Sequence, residues 1–194
     1  DKELSISEEF LTEGELACLM SHVMLWYKMI NENIPTMAIF EDDIYLGSDA
    51  NYYLNNKDWC IKNFDLIKIE AFLDKIFVSH ITYRLPVGNR KLFKLKGPNL
   101  GTAGYIISKQ GAEKLISFIQ KGNLIAIDRL IFDKFVSDET NEVFQFEPAL
   151  CIQEMLLFPE TNKNKLDSNL VKERQLRMRS EERRVGKECR SRWS

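Results

Sequence analysis

The run Met37-Ala38-Ile39-Phe40 constrains the fold more than any other feature, because it stops abruptly in three acids, Glu41-Asp42-Asp43. Four consecutive apolar residues are too few for a helix and suit a strand buried on both faces. A helix precedes it. Thr12-Glu13-Gly14-Glu15 has the form of a capping box, in which Thr12 accepts from the Glu15 N–H and Glu15 reaches back. Leu16, Leu19, Met20, Val23, Tyr27 and Ile30 follow at helical spacing, and Pro35 stops the pattern just past Asn31–Asn33. The spacing predicts a helix from Glu13 to about Glu32, then a parallel strand whose carboxyl end presents the acids.

The alternation continues along the chain. Tyr52–Asn56 has weak helical character, and Phe64–Ile69, Ile76–Ile81 and Lys91–Leu95 read as strands. Pro86-Val87-Gly88-Asn89 supplies turn chemistry between the last two. Gly97–Gly104 is loop-like and Tyr105–Ile107 is a short strand. Ser108 caps a helix over Lys109–Gln120, which Lys121-Gly122-Asn123 ends. Ile127–Val136 is expected to be helical, Phe144–Phe146 a strand, and Glu160–Met178 a loosely packed stretch or a surface helix. Strands alternating with helices predict an α/β sandwich with a mostly parallel sheet. In such sheets ligands bind beyond the carboxyl ends of strands, where Glu41–Asp43 falls.

A chain of 194 residues, 44% apolar and 29% charged, fits one globular domain. Its net charge of −2 lacks the basic bias of a nucleic-acid surface. No apolar run is long enough to span a membrane, and no signal-peptide pattern occurs. The four cysteines, Cys18, Cys60, Cys151 and Cys189, form no CxxC pair and no disulfide framework, so reduced thiols in a cytoplasmic protein are expected. The chain opens at Asp1 rather than Met, as expected of one truncated at its start. Arg179–Ser194 differs in character, with six Lys or Arg, three Glu and no apolar periodicity. It resembles the translation of a sequencing adapter, and is expected to be a non-native tail after a single partial domain over residues 1–178. A genuine basic tail for membrane phospholipid is the alternative. Without the tail, 21 Lys and Arg face 26 Asp and Glu, a net charge of −5.

Three adjacent carboxylates repel one another unless a cation or hydrogen bonds compensate. Mg²⁺ or Mn²⁺ does so with one or two carboxylates while substrate phosphates complete the shell. On an extended backbone Glu41 and Asp43 point to one side and Asp42 to the other, so the acid-x-acid pair can reach one metal. A solvated acidic turn is the competing reading. Asp128 follows the apolar run Leu124–Ile127 and is a candidate general base, or a cap of the next helix. His22 shares a helical face with Glu15 and Cys18, which suits either metal ligation or a hydrogen-bonded anchor for the helix. Gly101, Thr102 and Gly104 let backbone approach a ligand or form a tight turn, and Asn99 and Thr102 carry hydrogen-bonding groups for sugar hydroxyls. His80 has no supporting context.

Five segments in order and spacing then resemble one family. They are LTEGELACLMSH at residues 11–22, IFEDD at 39–43, Gly101–Ser108 with Gly111–Leu115, Ile127-Asp128, and Pro148–Gln153. The likeness is to glycosyltransferase family 25, the lipopolysaccharide and lipooligosaccharide galactosyltransferases, over roughly Glu9–Gln153. It implies a GT-A-like (Rossmann-like) fold and an inverting, metal-dependent transfer. The implied donor is a UDP-hexose, chiefly UDP-galactose or else UDP-glucose, and the implied acceptor is a lipid-linked oligosaccharide core. Glu41 and Asp43 would hold Mn²⁺ or Mg²⁺, and Asp42, Gly101, Thr102 and Gly104 would face the donor. Asp128 would act as base, and Gln153 would contact the acceptor or support the site. Such an enzyme would work at the inner face of the cytoplasmic membrane, peripherally bound and with no nucleic-acid partner. By that likeness the family opens with a further strand–helix unit, and this chain is expected to be truncated ahead of its first helix, without that unit. The rival reading is therefore an inactive truncated remnant or a non-catalytic interaction module. Nucleotidyl transfer fits less well, because no basic phosphate-binding loop is visible.

Overall fold

The computed structural model describes residues 11–162, apart from Phe72 and Asn123, and only the backbone of residues 161–162. The expectations for Arg179–Ser194 and for most of Glu160–Met178 lie outside the described residues.

The capping box forms as expected: Thr12 Oγ1 accepts from Glu15 N at 3.2 Å, and Glu15 Oε2 accepts from Thr12 N at 2.9 Å. It opens α1 (Glu13–Asn31). The helix buries Glu15, Leu19, His22, Trp26 and Met29. That stripe is rotated from the expected one, since Leu16, Met20 and Tyr27 lie on the exposed side. Apolar residues occur almost all round this helix, so periodicity alone does not choose its inner face.

After α1 come β1 (Thr36–Phe40), β2 (Ile44–Leu46), α2 (Ala50–Asn55), β3 (Leu66–Lys68), β4 (Glu70–Ala71), β5 (Val78–Arg84), β6 (Lys91–Leu95) and β7 (Gly104–Ser108). Then follow α3 (Lys109–Gln120), α4 (Ile127–Arg129), a π-helical segment over Leu130–Phe135, β8 (Val143–Glu147), β9 (Cys151–Gln153), α5 (Glu154–Leu157) and α6 (Pro159–Asn162). Ser108 caps α3 through Gly111 N at 3.0 Å, as its sequence predicts. Two strands of three residues each, β2 and β9, carried no distinct sequence signal.

A six-stranded sheet runs in the order β1-β7-β3-β8-β6-β5, and a three-stranded one in the order β2-β9-β4. The α/β class stands, but the sheet is not mostly parallel. In the larger sheet only β3 and β8 pair in parallel; every other neighbouring pair is antiparallel. The expectation for β1 changes accordingly. It pairs antiparallel with β7 at one edge of the described sheet, and Ile39 is its one buried residue. Alternation of helix and strand in sequence did not reveal that β5 and β6 form a hairpin, or that β7 returns between β1 and β3.

The larger sheet carries a core on each face. Ile39, Leu66, Tyr105, Ile107, Val143 and Leu95 pack under α1, α3, α4 and the π segment. Ile67, Ile106, Phe144, Phe146 and Leu92 pack under α2 and Trp59. Two glycines are fixed by close packing. A Cβ on Gly111 would lie 2.3 Å from Asp65 O, and one on Gly104 would lie 2.3 Å from Cys151 Sγ.

Candidate active site

The acids leave β1 at its carboxyl end, as the sequence predicts. Glu41 N–H still donates to Ala103 O (3.0 Å), one step past the β1–β7 ladder. The chain then turns through Asp42-Asp43 into β2, whose partner β9 brings Gln153 opposite Ile44. Glu154 N–H donates to Asp43 O (2.8 Å), which fixes that approach. The smaller sheet therefore sets Gln153 against the acid pair.

Glu41 and Asp43 converge. Gln153 Nε2 lies 3.3 Å from Glu41 Oε2 and 3.3 and 3.4 Å from the two Asp43 oxygens. The other Glu41 oxygen accepts from Thr102 Oγ1 at 2.8 Å. Burial pushes the Glu41 carboxyl above its usual range; the Thr102 hydroxyl pulls it back, and the negative charges of Glu70, Asp43 and Asp128 push it further. Two carboxylates that share one positively polarised neighbour have the donor set a hard divalent cation takes. Asp42 is exposed and lines the same cleft, a cavity of about 390 Å³ between α1 and the acids that Cys18, Ser21 and His22 also border.

Asp128 is brought into this neighbourhood, near enough for its charge to act on both Glu41 and Lys68. It is not the helix cap. Ala126 holds that position, and Asp128 Oδ1 accepts from Arg129 N inside the first turn. Gly101 has a φ of 96°, a conformation that favours glycine, and its carbonyl accepts from Lys68 Nζ at 2.7 Å. Gly104 sits in the sheet interior, where its N–H donates to Glu70 Oε2 and its lack of a side chain admits Cys151. That is a packing role, not an approach to a ligand. Thr102 and Asn99 are likewise buried and committed, Thr102 to Glu41 and Asn99 Nδ2 to Gln145 Oε1 at 2.6 Å, so neither is free for a sugar hydroxyl.

Beneath the acids lies a buried polar layer that sequence reasoning missed. Lys68 Nζ donates to the carbonyls of Asn99, Leu100 and Gly101 at 2.9, 2.5 and 2.7 Å, and lies 3.4 Å from Glu70 Oε1. Burial favours the neutral forms of both Lys68 and Glu70, and their mutual attraction opposes it. The Lys68 ammonium also sits 4.3 Å from the centre of the Phe132 ring. This layer holds residues 99–101 in place, and so holds Thr102 against Glu41. The one available signal was the pair of charges in the apolar run LIKIE at residues 66–70.

On α1, His22 is buried, with Nδ1 2.7 Å from the Tyr105 hydroxyl, which also accepts from Trp26 Nε1 at 3.0 Å. Burial pushes His22 down to about 4, so the ring is neutral at neutral pH. The anchoring role expected of His22 is therefore present. The expected trio on one face is altered: ligand atoms of Cys18, His22 and Glu41, not Glu15, lie within 4.8 Å of one another.

Comparison with known sequences shows the family of this chain. The model described as glycosyltransferase family 25 (LPS biosynthesis protein) matches residues 1–131, and the chain belongs to that family. It is 39% identical over 186 residues to the lipooligosaccharide biosynthesis protein lex-1 of Haemophilus influenzae (strain ATCC 51907 / DSM 11121 / KW20 / Rd), covering 92% of this chain and 61% of that protein. It is 38% identical over 173 residues to lic2B of Haemophilus influenzae, covering 85% and 62%. It is 34% identical over 180 residues to the lacto-N-neotetraose biosynthesis glycosyltransferase LgtE of Neisseria meningitidis serogroup B (strain ATCC BAA-335 / MC58), covering 87% and 63%. The chain thus spans about three-fifths of the length of these curated relatives.

Proposed function

We propose that this chain carries the donor- and metal-binding part of an inverting hexosyltransferase. It would move galactose, or else glucose, from a UDP-sugar to a lipooligosaccharide core acceptor. The observation that carries this reading is the convergence of Glu41 and Asp43 on one point beside a cleft. The names of the relatives support the acceptor class.

In this reading Glu41 and Asp43 hold Mn²⁺ or Mg²⁺, and Gln153 swings aside or joins as a neutral neighbour. When bound, the cation supplies charge compensation for the departing nucleoside diphosphate. Thr102 keeps Glu41 oriented, and the Lys68 layer keeps Thr102 in place. Asp42 faces the donor from the exposed side of the cleft. Asp128 takes the proton from the acceptor hydroxyl as that oxygen attacks the anomeric carbon on the face opposite the leaving group. The chain works at the inner membrane face through peripheral contact. Among the described residues no helix is long and apolar enough to cross a membrane.

Thermal melting tests the reading. UDP with Mn²⁺ at about 100 times the dissociation constant adds about 2.7 kcal/mol, a rise of several degrees for a domain of this size. UDP alone or Mn²⁺ alone should give much less, and Asp43→Ala should abolish the joint effect. A melting temperature indifferent to UDP plus Mn²⁺, or an Asp43→Ala protein that responds like the parent, would sink the proposal.

A further inference from the structure

The cleft between α1 and the acids has an unequal inventory of hydrogen-bonding groups. Glu41, Asp42 and Asp43 bring acceptors, and among the described residues no Lys or Arg lines it. Its side-chain donors are the Cys18 thiol, the Ser21 hydroxyl and His22. A thiol is a weak donor. Ser21 spends its hydrogen on Ala17 O at 2.9 Å, within its own helix. That leaves the imidazole.

Which ring nitrogen of His22 carries hydrogen follows from its neighbours. The indole nitrogen of Trp26 can only donate, so the Tyr105 oxygen accepts from it. The Tyr105 hydrogen must then go elsewhere, and its other partner is His22 Nδ1 at 2.7 Å. Tyr105 is fully buried, so an unspent hydroxyl hydrogen would be costly. The relay Trp26 → Tyr105 → His22 thus makes Nδ1 an acceptor and leaves the hydrogen on Nε2. Among the described residues Nε2 has no hydrogen-bond partner, and its ring borders the cleft. The same logic disfavours His22 as a metal ligand beside Cys18 and Glu41, because an ion would need the Nε2 lone pair.

We propose that His22 is a donor-binding residue, its Nε2–H giving a hydrogen bond to a diphosphate oxygen of the nucleotide, with Tyr105 and Trp26 fixing the tautomer. This rests on the reading of the cleft as a nucleotide site. The nucleotide brings the anionic oxygens that the cleft otherwise meets only with a cation, and a neutral N–H can sit beside the acids without neutralising them.

The test uses the whole chain carrying His80→Gln, which leaves His22 as its single histidine. Ring ¹⁵N chemical shifts at pH 7 report the tautomer, first alone and then with UDP and Mg²⁺. The expected result is an Nε2–H imidazole whose Nε2 resonance moves on addition of UDP–Mg²⁺ but not of Mg²⁺ alone. His22→Gln should weaken UDP binding roughly tenfold, the scale of one hydrogen bond to a charged group. Tyr105→Phe, which frees the tautomer, should weaken it less and mix the two ring forms. An Nδ1–H ring in the parent overturns the inference before any ligand is added. An unmoved Nε2 resonance in a protein that does bind UDP overturns it as well. A parent that binds no UDP overturns the nucleotide reading itself and this inference with it, a result plainly different from the other two.

Discussion

Lys68 shows how a single side chain can govern a site it does not enter. Its ammonium is fully buried and satisfied by three carbonyls and by Glu70. Lys68→Met removes one charge and strands the other, so it should destabilise the chain by about 3–5 kcal/mol in urea or thermal unfolding. Adding Glu70→Gln removes the stranded charge, and the double variant should regain part of that loss. If the double variant is as unstable as the two single losses summed, Lys68 and Glu70 do not act as a pair. Neither role was legible beforehand, because charged residues within a strand ordinarily face water. The acids were legible for the opposite reason. An apolar run that ends in Glu41-Asp42-Asp43 states its own position at a strand's end. Gln153 was legible only by likeness to relatives, since its contact with Glu41 spans 112 positions of sequence.

At the scale of elements, ends were read better than faces. Thr12 and Ser108 cap their helices as their sequence context indicates, since a cap is a local exchange of hydrogen bonds. Thr12→Ala should therefore cost about 1 kcal/mol, a lowering of a few degrees in melting temperature. The inner face of α1 and the direction of β1 depend on partners far along the chain, and these were misread. Gly111 sets two element-level effects against each other. Alanine gains about 1 kcal/mol of helix propensity over glycine. Its Cβ, however, would lie 2.3 Å from the Asp65 carbonyl, a backbone atom that cannot give way cheaply. The clash should win, and Gly111→Ala should lower stability by about 2 kcal/mol or more. A stabilised Gly111→Ala protein in the same melting experiment would show that α3 rides less tightly on the sheet than its contacts indicate.

Across the whole molecule, one arginine joins parts that the chain visits far apart. Arg90, at the end of the β5–β6 hairpin, grips Asp49 ahead of α2 with two bonds of 2.6 and 2.5 Å. It also donates to the carbonyls of Pro148 and Ala149 at 2.5 and 2.9 Å, just before β9. The clamp fastens the smaller sheet, and with it Gln153, to the larger one. Arg90→Met should cost about 3 kcal/mol and weaken UDP–Mn²⁺ binding even though Arg90 does not line the acid cleft; an unchanged affinity would show that the second sheet keeps its place without it. Lys would be a poor replacement, since one ammonium cannot reproduce the planar fork. The π segment ties the far side in a different way. It continues α4 one residue past Asp128, buries Leu130, Ile131, Phe132 and Phe135, and lends the Phe132 carbonyl to Asn99 N–H at 2.9 Å. A helix advances about 100° per residue. Cutting one residue from this wider turn would rotate Asp128 by somewhat less than that relative to the wedge of buried side chains that follows it. The wide turn thus works as a gear tooth: shaved off, either the wedge or the acid loses its mesh, and no change of side chain elsewhere resets both.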